Sequence, residues 1–445
     1  MVVHGIEELS YLDDTEATVQ KGEYSLTLKT NTKFFKYKID QKFQFYIFVE
    51  KNGVPLKDGY VEYELKWDQS NTFETGRVNI ISGEGKIDVM SSKAGFILAI
   101  CSLPIENDEI LTHHCGVAIS PELIEPSLEL PSDFNSFWDN QKKLLAEIPI
   151  ETSWISIDHK SHPHLHEYSH KDLLEMDISN VEINEVKVSC LEKDVSGLYI
   201  RPKKRSSKNH PAMLCVQGAG VMPTRPHNFI EQANNGILVY EMGAHGLSNL
   251  EEEFFYQNLI DGKLKKYLKF GREDRMQSYF RLMFLRVKRG LDFLMSQPEW
   301  DGKTIVISGS SQGAVQSMAG AYLEPKVSMI SARVPALCDH TGFLKGRSVG
   351  GGDLVIIDEE GNPDPDTLEC SRYFDGVNFM RQLTCTGTFS VGLNDGGCTP
   401  SSIYAAYNSF KGPKSMYLQP YTGHANTPAT LEKMKCALED FIRNR

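Results

Sequence analysis

This 445-residue chain has no ordered cysteine pattern, no surplus of positive charge and no long apolar run, and each absence excludes a class of protein. The nine cysteines are scattered, odd in number and never spaced Cys-x-x-Cys, which fits neither a disulfide framework nor a zinc site. Asp and Glu number 59 against 47 Lys and Arg, and the resulting formal net charge of −12 argues against nucleic acid or an anionic membrane as partner. No stretch reaches the ~20 apolar residues that a membrane-spanning helix needs, so membrane insertion is not expected. The opening Met1-Val2-Val3-His4-Gly5-Ile6-Glu7-Glu8 lacks the pattern of a signal peptide. There is no internal repeat, no low-complexity tract and no cofactor motif.

What is present centres on Thr304-Ile305-Val306-Ile307-Ser308-Gly309-Ser310-Ser311-Gln312-Gly313-Ala314. A β-branched run leads into Gly-Ser-Ser-Gln-Gly, and a small-residue helical pattern follows. That is the strand, turn and helix of a G-x-S-x-G nucleophile elbow, where side chains two residues either side of the serine would collide with the flanking backbone. Ser311 has glycine at both positions, whereas Ser310 has Ser308 at −2, so Ser311 is the candidate nucleophile.

A serine nucleophile needs a base and an acid, and in α/β hydrolases the chain order is Ser, then Asp or Glu, then His. Thr388 to Leu393 reads as a buried strand ending in Asn394-Asp395-Gly396-Gly397. A carboxylate just past a strand end suits the acid, because such ends rim the site in open α/β sheets. A second strand, Ser415 to Pro420, runs into Tyr421-Thr422-Gly423-His424, ahead of a terminal helix over about 428–443. Taken singly, Asn-Asp-Gly-Gly is an ordinary turn and His424 an ordinary loop histidine. In this order they read as a triad, with His424 taking the Ser311 proton and Asp395 orienting the imidazole. For the oxyanion hole, one donor is expected from the Gln312 backbone N–H. The second is expected from the loop Gln217-Gly218-Ala219-Gly220 after a strand at 212–216, with the Ala219 N–H preferred and Gly220 next.

The pattern divides the chain. Residues 1–120 read as all-β: Phe43, Phe45, Ile47 and Val49 repeat with period two, Val61, Tyr63, Leu65 and Trp67 do the same, and further strands fit near 24–29, 76–81, 85–90, 95–103 and 115–119. This predicts an immunoglobulin-like β-sandwich. Residues 121–131, with Pro121, Pro126 and Pro131, read as a stiff linker. From 132 to 445 strands and helices alternate, which predicts an α/β-hydrolase domain with a mostly parallel sheet and helices on both faces. Residues 275–295 show one apolar helical face, Tyr279, Met283, Val287, Leu291 and Leu294.

Several motifs then make the resemblance specific. Pro131-Ser132-Asp133-Phe134-Asn135-Ser136-Phe137-Trp138, the Gly309-Ser310-Ser311-Gln312-Gly313 elbow, Val334-Pro335-Ala336-Leu337-Cys338-Asp339, Val391-Gly392-Leu393-Asn394-Asp395, Cys398-Thr399-Pro400 and Tyr404-Ala405-Ala406-Tyr407-Asn408 occur in order. The C-terminal 320 or so residues resemble carbohydrate-esterase family seven, the acetyl xylan esterase and cephalosporin-C deacetylase group. The whole chain resembles the variant with an N-terminal sandwich. The resemblance implies deacetylation of small acetylated sugars; no cofactor and no metal are expected from the sequence. The resemblance also implies a homo-oligomer, an assembly that the sandwich domain could obstruct or alter, and a periplasmic or secreted protein whose signal has been removed. The odd cysteine count leaves a cytoplasmic location open. The chain departs from the family at Met242-Gly243-Ala244-His245-Gly246, where Arg-Gly-Gln is usual, at Ala219, where Tyr is usual, and at His424-Ala425, where His-Glu is usual. His245 either lines the pocket or packs beneath the oxyanion loop.

Other features read as structural. His159, His162, His164, His166 and His170 match no zinc spacing and read as a polar loop. Cys398 reads as a packed loop thiol, Lys203 to Lys208 as a solvated hairpin tip, and Gly350-Gly351-Gly352 as a flexible stretch. The sandwich reads as a spacer or packing domain. Two other functions stay open: a hydrolase of the same triad with another acyl or amide specificity, such as a peptidase, and an inactive glycan-binding protein on a hydrolase scaffold. A panel of acetyl, butyryl and peptide substrates separates them.

Overall fold

The computed structural model describes residues 17–157, 177–224 and 229–445; the histidine-rich segment lies outside the described residues. Ten N-terminal strands form one sheet: β1 (Thr18–Lys21), β2 (Tyr24–Thr30), β3 (Lys36–Tyr37), β4 (Phe43–Lys51), β5 (Val54–Pro55), β6 (Asp58–Trp67), β7 (Asn71–Ile81), β8 (Glu84–Val89), β9 (Gly95–Pro104) and β10 (Ile110–Ile119). They pair in the order β1-β2-β4-β8-β7-β6-β9-β10-β3, with β5 on β4. Between β7 and β8 the ladder is a single pair, Ile81 with Glu84. The sheet therefore folds at that hairpin into two layers, β1-β2-β4-β8 and β7-β6-β9-β10-β3, as in an immunoglobulin-type sandwich. The period-two reading explains why. Phe43, Phe45, Ile47 and Val49 are all buried, and they share one apolar core with Leu26, Leu28, Val61, Leu65 and Val117.

Nine further strands form the second sheet: β11 (Thr152–Ser156), β12 (Val181–Val188), β13 (Val195–Pro202), β14 (His210–Val216), β15 (Leu238–Met242), β16 (Trp300–Ser310), β17 (Met329–Arg333), β18 (Thr386–Gly392) and β19 (Lys414–Gln419). The order is β11-β12-β13-β15-β14-β16-β17-β18-β19. The first pairings, through β13 with β15, are antiparallel; β15 through β19 run parallel. The sheet is buried on both faces, as parallel sheets are. Leu214, Tyr240 and Ile307 join one apolar cluster, and their neighbours Met213, Val239 and Val306 join another on the opposite face.

Among the described residues the helices are α1 (Phe134–Ala146), α2 (Ile230–Asn234), α3 (Glu253–Asp261), α4 (Tyr279–Ser296), α5 (Gln312–Leu323), α6 (Pro365–Ser371), α7 (Gly376–Met380), α8 (Pro400–Ser409) and α9 (Pro428–Arg443). Each of α1, α4 and α5 packs on the first face, where Trp138, Phe284 and Met318 are fully buried; α2 and α9 cover the second, through Ile230 and Leu438. α9 starts where a Thr427 side chain caps the Thr430 N–H and Pro428 takes the first helical position. None of these helices is long and apolar enough to cross a membrane.

Three findings differ from the sequence expectations. Strands β11 to β13 were not anticipated. Gly350 is packed: a Cβ there would stand 2.2 Å from the Gly397 carbonyl oxygen. Arg205 is no solvated tip residue, for it pairs with Glu299 at 2.9 Å and Glu182 at 3.2 Å. Residues 121–131 run along the second unit, held where Asn408 donates to the Pro121 and Ile124 carbonyls at 2.8 and 2.9 Å and where Ser127 donates to Asp339.

Candidate active site

Ser311 stands at the end of β16 with φ 57° and ψ −122°, a left-handed conformation costly for a side-chain-bearing residue. The glycines around it permit that strain. A Cβ on Gly309 would lie 2.2 Å from the Gly313 carbonyl oxygen, and a Cβ on Gly313 would lie 2.5 Å from the Val216 carbonyl oxygen. The backbone is held on both sides, with the Ser311 N–H donating to Arg333 O at 2.8 Å and the Ala336 N–H donating to Ser311 O at 3.1 Å.

The two partners come from the ends of adjacent strands at the sheet's edge. Asp395 follows β18 and is fully buried; its Oδ1 accepts from the Gly397 and Cys398 N–H groups, both at 2.8 Å. His424 follows β19 and is part-exposed. Its Nδ1 lies 2.7 Å from Asp395 Oδ2, and its Nε2 lies 2.9 Å from Ser311 Oγ. Asp395 accepts the Nδ1 proton, which leaves Nε2 as the acceptor for the Ser311 hydroxyl. The hydrogen bond to Asp395, and then the Cys398 thiol, hold the imidazole's pKa well above its ordinary value, against the effect of burial. Ligand atoms of Asp395, Cys398 and His424 lie within 4.8 Å of one another, the one such group among the described residues. Both imidazole nitrogens are already engaged in hydrogen bonds, so the arrangement is that of a proton relay.

The loop after β14 runs beside the elbow: a Cβ on Gly218 would lie 4.0 Å from Ser311 Cβ. Among the described residues no protein group accepts from the Ala219 or Gln312 backbone N–H. The Gly220 N–H, the second choice from sequence, is engaged, donating to the Tyr267 hydroxyl oxygen at 3.3 Å. That hydroxyl donates to Gln312 Oε1 at 2.7 Å, and Gln316 Nε2 donates to Gln217 O at 2.8 Å. Sequence reasoning missed Tyr267 because it lies 45 residues from Gln312, on no recognisable motif.

His245 packs beneath this loop rather than lining the pocket. It is 2% exposed. Its Nε2–H donates to Gly220 O at 3.0 Å, and its Nδ1 accepts from the Tyr279 hydroxyl at 2.7 Å. Burial lowers its pKa to about 4, so it is neutral, as that pattern requires. Arg286 clamps the preceding Ala244 carbonyl with two N–H groups at 3.0 and 3.2 Å. The stretch that departs from the family motif is thus a buried brace.

Residues 124–439 match the model of the acetyl xylan esterase (AXE1) family. The acetyl esterase Axe7A of Xylanibacter ruminicola is 29% identical over 374 residues, covering 83% of this chain and 80% of that protein. Among solved structures, the acetyl xylan esterase of Paenibacillus sp. R4 superposes with a TM-score of 0.59 at 21% identity, over 72% of this chain and 98% of the other. Acetyl xylan esterase 1 of Thermoanaerobacterium sp. JW/SL YS485 gives the same TM-score at 19% identity, over 71% and 95%. These two likenesses establish the α/β-hydrolase fold of the second unit.

Proposed function

Since the chain belongs to the acetyl xylan esterase family and is accordingly an esterase, we propose that it deacetylates small acetylated carbohydrates, such as acetylated xylo-oligosaccharides, through a Ser311–His424–Asp395 triad. The observation that carries the proposal is the hydrogen-bonded relay of 2.9 and 2.7 Å, set on a strained elbow.

In this reading Ser311 Oγ attacks the acetyl carbonyl carbon while His424 Nε2 takes the hydroxyl proton. Asp395 stabilises the imidazolium that forms. Negative charge develops on the carbonyl oxygen, for which the donors are the uncommitted N–H groups of Gln312, at the start of α5, and of Ala219, on the loop after β14. The tetrahedral intermediate collapses, His424 returns the proton to the departing sugar oxygen, and the sugar alcohol leaves. Water, deprotonated by His424, then releases acetate from Ser311. No cofactor enters any step. A homo-oligomer and a location outside the cytoplasm, both implied by the family resemblance, belong to the same proposal.

The test is acetate release from peracetylated xylose and acetylated xylo-oligosaccharides. Ser311→Ala should lower turnover roughly a million-fold and Asp395→Ala roughly ten-thousand-fold. No release from either sugar, with a Ser311-dependent p-nitrophenyl acetate reaction still present, would reject the sugar substrate and retain the triad.

A further inference from the structure

Two of the three proposed triad groups hang from the edge of the sheet. β19 is its last strand and β18 lies next to it, so among the described residues no further strand of this sheet supports the loops that carry Asp395 and His424. The N-terminal sandwich stands in that place. Gln69 Nε2 donates to the carbonyl of Leu393, two residues before Asp395, at 2.6 Å. The Gly116 N–H on β10 donates to Pro420 O, four residues before His424, at 2.7 Å. Gly116 also touches the acid loop, because a Cβ there would lie 2.4 Å from Leu393 Cβ and 2.8 Å from Leu393 O. The Tyr421 hydroxyl donates to Leu28 O at 2.8 Å, and its ring meets Phe35 edge-on. The two loops are tied to each other, Leu393 N–H to Gln419 O at 2.9 Å and Asn394 N–H to Thr422 O at 3.0 Å.

The turn that carries Gln69 is a second, independent sign. Asp68 and Gln69 both take positive φ, 50° and 70°, and the Ser70 N–H closes the turn onto Trp67 O. Turns with positive φ at both central positions favour Asn-Gly or Asp-Gly. Glutamine is a poor choice for the turn itself. Its side chain reaches Leu393, and Asp68 Oδ2 accepts from the Ser348 N–H at 2.8 Å and the Ser401 hydroxyl at 2.7 Å. Strain retained at a contact point is a reason to look for function there.

We infer that Gln69 and Gly116 are positioning residues for the esterase reaction: the β6–β7 tip and strand β10 of the sandwich set where Asp395 and His424 stand relative to Ser311. This rests on the triad reading above. A spacer domain would need neither contact.

The test uses the full chain. Gln69→Gly gives the turn its favoured residue and removes the donor. The melting temperature should hold or rise, while kcat on p-nitrophenyl acetate falls about tenfold or more with KM within about twofold, since misplacing a catalytic group by ~1 Å costs up to ~100-fold. Gln69→Glu keeps the length, lacks the donor and should match it. Gly116→Ala should lower kcat about a hundredfold. In each variant the acid limb of the pH–rate profile should move to lower pH, because the imidazolium loses support from Asp395. Glu122→Gln, at the exposed Lys38–Glu122 pair on the same border, should leave kcat unchanged. Wild-type kcat and pH limb in Gln69→Gly would overturn the inference. So would losses that merely follow melting temperature across all variants, Glu122→Gln included. Activity surviving in Ser311→Ala would instead overturn the triad on which it stands.

Discussion

Replacing Tyr267 with Phe isolates the brace behind the proposed oxyanion loop. The Tyr267 hydroxyl donates to Gln312 Oε1 at 2.7 Å and accepts from the Gly220 N–H at 3.3 Å. Gln312 is 1% exposed, so no water replaces the lost donor. Its Nε2 has no partner among the described residues, so Tyr267 is the anchor of that amide. A buried acceptor left without a donor costs about 1–3 kcal/mol. The ring itself stays, edge-on to His245 with centroids 4.6 Å apart, so packing changes little. Where the loss appears depends on when the brace matters. In the proposed mechanism the Gln312 and Ala219 N–H groups receive the charge that develops on the substrate oxygen, so loosening them should weaken the transition state more than the bound substrate. At about 1.4 kcal/mol per tenfold, kcat should fall roughly ten- to hundredfold with KM within about twofold. Outright loss of one donor would cost roughly a hundred- to a thousandfold. Steady-state kinetics on p-nitrophenyl acetate, with thermal melting alongside, measures both. Tyr279→Phe, which loses the hydroxyl's bond to His245 and its interaction with Arg286 but leaves Gln312 and Gly220 their partner, should change kcat less. A Tyr267→Phe enzyme with kcat within twofold of wild type and a lowered melting temperature would refute the argument.

Three further outcomes are expected. Because Asp395 and then Cys398 raise the His424 pKa and the base must be neutral to act, the acid limb of kcat/KM should lie above the ordinary histidine value of ~6.5. Cys398→Ala should lower it, and a wild-type limb at or below 6.5 would contradict the geometry. His245 has a folded-state pKa of about 4, depressed by burial. The unfolded chain therefore takes up a proton that the folded chain refuses as pH falls from ~6.5 to ~4, and stability is lost over that window. The wild type should lose about 3 kcal/mol more than His245→Asn there, by denaturant titration at several pH values; comparing the two cancels the other buried groups. Finally, the Cβ in Gly313→Ala would lie 2.5 Å from Val216 O and 2.9 Å from Gln217 O, both backbone. The helix start must shift, costing about 1–3 kcal/mol and, through the displaced Gln312 N–H, about a hundredfold in kcat.

What was legible in the chain follows from how local each cause is. The elbow could be read because its requirement is steric and complete within five residues, and the glycine clearances of 2.2 and 2.5 Å are that requirement in physical form. Asp395 and His424 could be read because a polar residue just past a buried strand has few places to go. The sandwich strands declared themselves through period two. β13 did not, because the sheet is buried on both faces there: Val195, Leu198, Tyr199 and Ile200 are all inside, so no alternation marks the strand. β12 does alternate, but its phase slips at the buried Glu185, which leaves only two short runs, Val181 to Asn184 and Val186 to Val188.

The braces were illegible for a different reason. Gln69 meets Leu393 across 324 residues of sequence, and what it meets is a backbone carbonyl. Every non-terminal residue offers such a carbonyl, so the acceptor carries no side-chain signature at all. Arg286 likewise donates to the Ala244 carbonyl, and Tyr267 accepts from the Gly220 N–H, a backbone group equally without signature. The local trace was negative: a glutamine at a left-handed turn position and a glycine inside a strand, each a poor choice for its own element. His245 is the same case in the catalytic unit, a break in the family motif that its immediate neighbours do not explain. Residues that suit their local element badly are where this chain hides its long-range contacts, and Gln69, Gly116 and His245 all stand behind the groups that flank Ser311.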